Sequence, residues 1–289
     1  ILVENSVDPA ITDNTINAAD SVGISVEDTT GATVLRNTVS ASNIGFSLTN
    51  ASNNRVEGNQ SDFNAVGLRV RSSSDGNVVT LNTVTNNLVG VQISSSADNQ
   101  ISENVISSNQ GAGITVSLND STGNRISENE MADNDTLGID LNDDGMTEND
   151  ANDDDNGPNR LQNAPEVTIT SFFPGLKGGA GGPEIELTYV VDSTITASAY
   201  PMDVELFLAS PSTPDQGQTF LVSLNYNTPQ NPASLAVTLP DGTVGGWIVA
   251  TATDSNGNTS EFSAPANFGP PDALFSDSFE AAPMAKHRR

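Results

Sequence analysis

The sequence predicts an all-β protein in which a right-handed parallel β-helix precedes an antiparallel β-sandwich. Two observations predict the β-helix: an asparagine that recurs every 22 to 25 residues, and a glycine that follows each of these asparagines by eight or nine positions. A third observation, seven short strands with alternating apolar residues after residue 165, predicts the sandwich. Cysteine is absent from the 289 residues, so packing or bound metal must hold the fold together.

The repeat keeps one internal pattern through six copies. Its asparagines and glycines are Asn14, Asn37, Asn59, Asn82, Asn104 and Asn129, and Gly23, Gly45, Gly67, Gly90, Gly113 and Gly138. Apolar residues alternate after each glycine, as in Val91 and Ile93, and a branched one lies three positions before each asparagine, as in Val79. This spacing indicates strands. Such short units bury an apolar face only by stacking. We therefore predict about six coils of 22–25 residues over residues 1–145, rather than a leucine-rich horseshoe, because the L-x-x-L-x-L pattern is missing.

The repeated asparagines predict ladders of stacked amides. Equivalent positions of a solenoid lie directly above one another, so each amide can donate to the next and accept from the previous one. A second column lies five residues upstream of the main one, at Asn54, Asn77, Asn99 and Asn124. We interpret both columns as structural and not as ligand sites.

The composition is typical of a secreted protein with an acidic surface. The formal net charge is -27, from 37 acidic and 10 basic residues. Such a surface repels nucleic acid and anionic membranes and attracts cations. No run of 18 apolar residues is present, so membrane insertion is not expected. We predict a secreted, extracellular or bacterial cell-surface protein.

The first residues look like the inside of a coil. Ile1-Leu2-Val3 has the alternating pattern that follows a repeat glycine, and Ile11 and Asn14 are then in register. We therefore expect further coils upstream. Because an open solenoid end leaves backbone groups unpaired, end-to-end self-association is a predicted mode of partner binding.

Residues 166–268 are predicted to form a second domain. Their seven strands are expected to begin near Val167, Ile185, Val204, Phe220, Leu235, Trp247 and Glu261. This number of alternating strands in about 100 residues is typical of a sandwich of immunoglobulin or fibronectin III type. Residues 269–289, which include His287 and three other basic residues, are predicted to be a flexible tail.

The linker at residues 146–165 and the end of the last coil carry an acidic run that predicts a calcium site. Eight acidic residues lie between Asp140 and Asp155, and their mutual repulsion disfavours a compact loop without a cation. Oxygen ligands at alternate positions before a glycine are typical of calcium loops. The predicted ligands are Asp140, Asn142, Asp144, Glu148, Asp150, Asn152 and Asp154. A solvated acidic linker without bound ions is the alternative.

The coil pattern resembles the parallel β-helix repeats of the pectate-lyase-like superfamily. The run from Gly138 to Pro165 resembles a closing motif of bacterial secreted β-helix proteins, and Ala252-Thr-Asp-Ser-Asn-Gly-Asn-Thr-Ser-Glu-Phe-Ser263 is similar to the end of an immunoglobulin-like domain that follows it. The resemblance implies fold and secretion. It implies no reaction, because many members have no known activity.

The sequence leaves catalysis open and favours a protein without it. The histidine-bearing motifs of polygalacturonases and alginate epimerases are missing, and no catalytic residue is assigned. Arg69 and Arg71 alternate on one strand, with Ser47/Thr49 and Gln92/Ser94 as expected neighbours. They are a solvated pair or a weak site for an acidic saccharide. We predict a calcium-stiffened structural or adhesion module that binds a polysaccharide or cell-surface component weakly. The alternative is a fragment of an extracellular polysaccharide-active lyase, hydrolase or epimerase.

Overall fold

A computed structural model describes residues 1–175 and 182–269. Strands β1–β19, numbered in chain order, form three parallel sheets in the first half of the chain. Sheet 1 comprises β1 (Leu2–Glu4), β4 (Val22–Glu27), β7 (Ile44–Thr49), β10 (Val66–Arg71), β13 (Val89–Ser94), β16 (Ile114–Ser117) and β19 (Ile139–Leu141). Sheet 2 comprises β2 (Ala10–Thr12), β5 (Thr33–Leu35), β8 (Arg55–Glu57), β11 (Val78–Thr80), β14 (Gln100–Ser102) and β17 (Arg125–Ser127). Sheet 3 comprises β3 (Thr15–Asn17), β6 (Thr38–Ser40), β9 (Gln60–Asp62), β12 (Thr83–Thr85), β15 (Val105–Ser107) and β18 (Glu130–Ala132).

The predicted parallel β-helix and its register are confirmed. Each of six coils gives one strand to each sheet, and β19 adds a seventh strand to sheet 1. Each strand pairs with its equivalent one coil away. The branched residues before the asparagines stack as direct partners and are at most 5% exposed. The alternating pairs after the glycines form a second buried stack in sheet 1. The solenoid core therefore consists of continuous apolar columns along its axis.

The repeat glycine is required by the close approach of successive coils. A Cβ atom added at Gly67 would lie 2.7 Å from the carbonyl oxygen of Gly90, and one added at Gly90 would lie 2.3 Å from that of Gly113. No side chain fits at such distances, so a larger residue would push the coils apart.

The asparagine ladder satisfies amides that lie inside the solenoid, as Asn82 illustrates. Its backbone N–H and its Nδ2 each donate to Oδ1 of Asn104 at 2.9 Å. Its own Oδ1 accepts the corresponding bonds from Asn59 at 2.9 and 3.0 Å. Nδ2 also donates to the carbonyl oxygens of Val56 and Thr80. The buried amide is thus bonded on both sides, as buried polar groups generally are.

The ladder runs in three columns. The two predicted columns are confirmed. A third column, absent from the sequence prediction, lies five residues after the main one and comprises Asn64, Asn87, Asn109 and Asn134. The three columns follow the corners of each coil, where the chain turns from one sheet to the next.

The second half of the chain forms two antiparallel sheets. Their strands are β20 (Glu166–Phe173), β21 (Glu184–Val190), β22 (Met202–Ala209), β23 (Gly217–Tyr226), β24 (Ala233–Thr238), β25 (Gly246–Thr253) and β26 (Ala266–Phe268). The strand orders are β20-β21-β24 and β23-β22-β25-β26. Leu187 of the first sheet and Leu206 and Ala250 of the second share one buried core. The two sheets are therefore packed on each other, and the assignment to the immunoglobulin type stays a prediction.

One expected strand of this half lies at a different position. The seventh strand was expected to begin near Glu261 and is instead Ala266–Phe268; residues 261–263 are extended toward the solenoid, where Glu261 and Phe262 contact the last coil. The linker contains two short 3₁₀ turns, Ala151–Asp153 and Pro158–Leu161. The predicted flexible tail lies, apart from Gly269, outside the described residues.

Replacing Asn82 by alanine should destabilise the protein by about 1–3 kcal/mol, because the buried N–H of Asn59 would lose its acceptor and the carbonyl oxygens of Val56 and Thr80 would lose a donor. The backbone N–H of residue 82 would still donate to Oδ1 of Asn104.

Asn43 is also an asparagine of the solenoid, but it is exposed and its side chain forms no hydrogen bond with the described residues. Asn43→Ala is therefore the matched control and should change stability by less than about 0.5 kcal/mol. Urea unfolding followed by circular dichroism measures both. Equal effects of the two substitutions would contradict a structural role for the ladder.

Candidate functional site

The last coil of the solenoid is closed by side chains of the linker and the sandwich. Its edge N–H groups, which would otherwise lack partners, donate to side-chain oxygens at 2.8–3.1 Å. The pairs are Asn124 with Asn159, Ile126 with Thr259, Glu128 with Glu205, Asn134 with Gln216 and Leu141 with Glu261. Asn159 and Gln216 thereby extend two of the asparagine columns by one position.

The apolar interior of the solenoid also continues into the sandwich. The ring of Phe262 covers Gly138, whose added Cβ would lie 2.7 Å from that ring. Phe207 stands perpendicular to Phe262, with ring centroids 5.5 Å apart. Both belong to the same buried cluster as Ile139 and Leu141 of the last coil. The sandwich therefore takes the place of a further coil, and the linker is folded between the two.

Within this linker the structure brings three carboxyl groups together. One oxygen each of Asp150, Asp153 and Asp155 lies within 4.8 Å of the other two. Asp153 is buried and accepts hydrogen bonds from the N–H of Asn163 at 2.7 Å and from the Ser198 hydroxyl. The cluster thus joins the linker to the sandwich. A hollow of about 140 Å³ lies beside the cluster and is lined in part by Asp153 and Asp155, so that solvent and ions can reach these carboxyl groups.

The electrostatics of this cluster are unfavourable without a cation. Burial is the largest cause that raises the pKa of Asp153, and burial together with the charges of Asp150 and Asp153 raises that of Asp155 to about 6. Oδ1 of Asp150 and Oδ1 of Asp155 are buried and have no hydrogen-bond partner among the described residues. Three carboxylates with two such free oxygens offer the ligands that hard divalent cations prefer.

The predicted metal ligands do not come together as one set. Asp150 belongs to the cluster, whereas its partners Asp153 and Asp155 were not predicted as ligands. Asp140 and Asp144 form a separate turn, in which Asp140 accepts the N–H of Asp144 at 3.2 Å. The remaining predicted ligands are Asn142, which donates to Asp144 at 2.8 Å, Glu148, Asn152 and Asp154, all exposed. The prediction assumed that every second residue of this segment, at positions 150, 152 and 154, contributes a ligand. The 3₁₀ turn at Ala151–Asp153 instead brings together the carboxyl groups at positions 150, 153 and 155.

Arg69 and Arg71 lie on the outer face of sheet 1, as expected. Their register partners are Ser47 and Thr49 on one side and Gln92 and Ser94 on the other, which confirms the predicted neighbours of these arginines. Neither arginine forms an ion pair with any described residue. Nε of Arg69 is buried without an acceptor there, and burial lowers the pKa of this side chain. Thr115 Oγ1, two strands along the same row, is also buried and without a partner among the described residues.

Comparison with protein families matches residues 1–154 to the family described as periplasmic copper-binding protein (NosD). This match spans more than half of the chain. The chain belongs to the NosD family. The periplasmic description agrees with the secreted location predicted for this NosD-family protein, and no helix among its described residues is long and apolar enough to span a membrane. No curated protein matches it.

Two solved structures are similar to this NosD-family chain at low identity. The A-module of mannuronan C-5 epimerase AlgE6 from Azotobacter vinelandii is 18% identical, with a TM-score of 0.40, over 50% of this chain and 49% of the epimerase module. Tailspike protein 2 of the Escherichia coli O157:H7 bacteriophage CAB120 is 12% identical, with a TM-score of 0.31, over 93% of this chain and 50% of the tailspike. The chain therefore spans about half the length of both proteins.

Replacing Asp155 by asparagine should stabilise the metal-free protein at pH 8 by about 1 kcal/mol. The substitution removes a charge that the fold disfavours, and the figure allows for the partial exposure of this side chain. Because the pKa of Asp155 is raised to about 6, the gain should disappear as the pH falls below that value. Asp154→Asn removes an exposed charge next to it and is the control. Thermal unfolding in the presence of a chelator measures the difference, and destabilisation by Asp155→Asn would contradict the proposed repulsion.

Proposed function

We propose that this chain is a non-catalytic secreted or cell-surface structural module of adhesion type, in which calcium stiffens the junction between the β-helix and the sandwich. One observation carries the proposal: Asp150, Asp153 and Asp155 converge at this junction, and two of their buried oxygens have no hydrogen-bond partner within residues 1–175 and 182–269. A surface module must keep its ends at a fixed distance and orientation. A bound ion at this position would serve that purpose.

Calcium fits the residues of the cluster better than copper does. The family description names copper binding, and copper sites in proteins use mainly imidazole, thiolate and thioether ligands. This sequence has no cysteine and one histidine, and the cluster offers only carboxylate oxygens. Calcium takes such oxygens in flexible geometry, and extracellular calcium modules bind at roughly 10⁻⁴–10⁻³ M.

An ion at the cluster would tie three parts of the chain together. Asp150 accepts the N–H of Asp154 at 3.0 Å and donates its own N–H to Asn163, so it holds both ends of the linker. Asp153 is bonded to the sandwich through Ser198. Neutralising the cluster removes repulsion among its three charges, and the linker then rests on the sandwich without strain from like charges.

Millimolar calcium should raise the melting temperature of the parent protein and slow its cleavage between Gly145 and Gly157. Binding to the folded state alone adds about 1.4 kcal/mol of stability at a calcium concentration ten times the Kd. The effect should weaken below about pH 6, because protons compete for Asp155. Differential scanning calorimetry and limited proteolysis measure the two effects.

Asp150→Asn together with Asp155→Asn should remove the calcium response. Asp143→Asn together with Asp144→Asn removes the same charge from the same acidic run but leaves the cluster intact, so this control should keep the response. A parent protein whose melting and cleavage are unchanged by calcium would show the run to be a solvated linker. Loss of the response in the control would place the ion at the turn of Asp140, Asn142 and Asp144 instead.

A second candidate function is weak binding of an acidic polysaccharide on the outer face of sheet 1. Arg69 and Arg71 are cations without an ion-pair partner among the described residues of a protein of net charge -27. Arg71 is exposed, and its guanidinium can form charge-assisted hydrogen bonds with a ligand carboxylate. The neighbouring side chains on sheet 1 carry hydroxyl and amide groups, which can form hydrogen bonds with the hydroxyl groups of a saccharide. Binding through the first coil to another copy likewise stays a proposal.

Arg69→Ala with Arg71→Ala should abolish retention of the protein on immobilised polygalacturonate or alginate at low salt. Arg36→Ala, which removes an exposed arginine paired with Asp13, is the control and should be retained like the parent. Neither the parent nor any variant should release unsaturated or reducing ends from these polymers. Release by the parent that is lost with Arg69→Ala would support the alternative, a fragment of a polysaccharide-active enzyme.

A further inference from the structure

Two of the acceptors that close the last coil are carboxyl groups. Glu205 of β22 accepts the N–H of Glu128 at 2.8 Å. Glu261 accepts the N–H groups of Leu141 and Thr147 at 2.8 and 2.9 Å. The two glutamates are only 2% and 5% exposed. Both therefore lie in the contact between solenoid and sandwich, which we call the seam.

Neutral side chains perform the same task at the other seam positions. Thr259 accepts the N–H of Ile126, and Gln216 accepts that of Asn134. An N–H acceptor at the seam thus needs no charge. Separating the two halves would return the glutamates to water, where a carboxyl group ionises readily.

We propose that Glu205 and Glu261 make the seam a pH-sensitive clasp, which holds the sandwich on the solenoid while they are protonated and loosens when they ionise. This device goes beyond the calcium-stiffened junction, since it lies in other residues and needs no ion. It acts on the whole contact, because both carboxyl groups are covered only as long as the two halves stay together.

The surroundings of Glu205 oppose its charge. Burial is the main cause that raises the pKa of Glu205 to about 7, and the charges of Glu128 and Asp203 act in the same direction. The N–H of Glu128 and the guanidinium of Arg125 act in the opposite direction. Arg125 is, however, engaged with Asp203 at 2.5 Å, so its charge is shared.

Glu261 faces a similar environment. Burial raises its pKa to about 7, the N–H groups of Leu141 and Thr147 lower it, and the charge of Asp140 raises it. Asp215 lines the same hollow of about 40 Å³ as Glu261. The charged groups that face it are therefore acidic.

The direction of the pH effect follows from these shifts. The pKa of each glutamate is about 7 when the seam is closed and near its ordinary value of 4.5 when the seam is open. The closed state thus binds more protons between these two values, and its stabilisation is complete at low pH and lost as the pH rises through 7. Each unit of pKa difference corresponds to about a tenfold change in the ratio of closed to open molecules.

Trp247 provides a probe for the seam. It is the only tryptophan of the sequence, and it packs against the buried cluster that the last coil shares with the sandwich. In a chelator, acrylamide quenching of its fluorescence in the full chain should increase severalfold between about pH 5.5 and 8.5 and should level off once the pH exceeds about 7. Far-UV circular dichroism should not change over this range, because both halves keep their strands.

The variant Glu205→Gln/Glu261→Gln should stay closed across the whole range, because its amides are neutral. Glu186→Gln removes an exposed glutamate of the sandwich and should behave like the parent. Quenching of the parent that does not depend on pH would overturn the proposal, as would a transition of the same size and midpoint in the double variant.

A measurement on the parent alone keeps the test decisive if the double variant does not fold. Hydrogen exchange at the N–H groups of Glu128 and Leu141, corrected for the intrinsic effect of pH, should lose protection as the pH rises to about 7. The N–H groups of Ile126 and Asn134 should lose protection with them, while Asn82 inside the solenoid stays protected. Constant protection of all the seam amides would refute the clasp.

Discussion

The hydrogen bond between stacked asparagines is the interaction on which the rest of this molecule depends. A coil of 22 to 25 residues turns three times, and each turn leaves backbone and side-chain polar groups inside the solenoid. The amides of Asn59, Asn82 and Asn104 satisfy one another and the neighbouring carbonyl groups at 2.9–3.0 Å. This arrangement fixes the distance between coils, and it allows the apolar columns beside it to pack without gaps. The glycine column operates under the same constraint, since no side chain fits between successive glycines.

A solenoid built in this way has to end somewhere, and the sandwich provides the end. It supplies apolar surface through Phe207 and Phe262 and a set of oxygen acceptors for the last row of N–H groups. The two halves are therefore joined by the same kinds of contact that join two coils. The linker between them is stabilised differently. The acidic residues at its centre repel one another unless protons or cations neutralise their charges. The proposed functions of the junction follow from this contrast between a well-satisfied seam and a poorly satisfied linker.

The sequence predicted the repeating features in detail and the antiparallel strands of the second half in outline, but it did not predict the carboxyl cluster of the linker. Val79 and Val91 were placed correctly because six copies of one pattern confirm each other, and the neighbours of Arg69 and Arg71 followed from the same register. The third asparagine column was equally regular, at Asn64, Asn87, Asn109 and Asn134, and could have been found by the same spacing. The carboxyl cluster was different. Its membership depends on a single 3₁₀ turn in which Asn152 has a positive φ of 68°, and no repeated copy reveals such a turn. Likewise, the residues around Glu261 predicted a strand. Glu261 instead accepts a backbone N–H of the last coil, because the open edge of that coil lies next to it.

The asparagine columns have a direction, and this makes the two ends of the solenoid chemically unequal. In each step Oδ1 accepts from the N-terminal coil and Nδ2 donates to the next Oδ1 on the C-terminal side, as in the bonds from Asn59 to Asn82 and from Asn82 to Asn104; Nδ2 also donates to a carbonyl oxygen of the N-terminal coil. The local dipoles therefore add along the axis, with their positive end at the last coil, much as peptide dipoles add along an α-helix. A positive end attracts oxygen atoms that carry a partial negative charge. The oxygens of Asn159, Gln216, Glu205 and Glu261 occupy this end. Asn159 and Gln216 also donate to the carbonyl oxygens of Asn124 and Asn134, so each of them bonds to the last coil in both directions, as an asparagine of a further coil would.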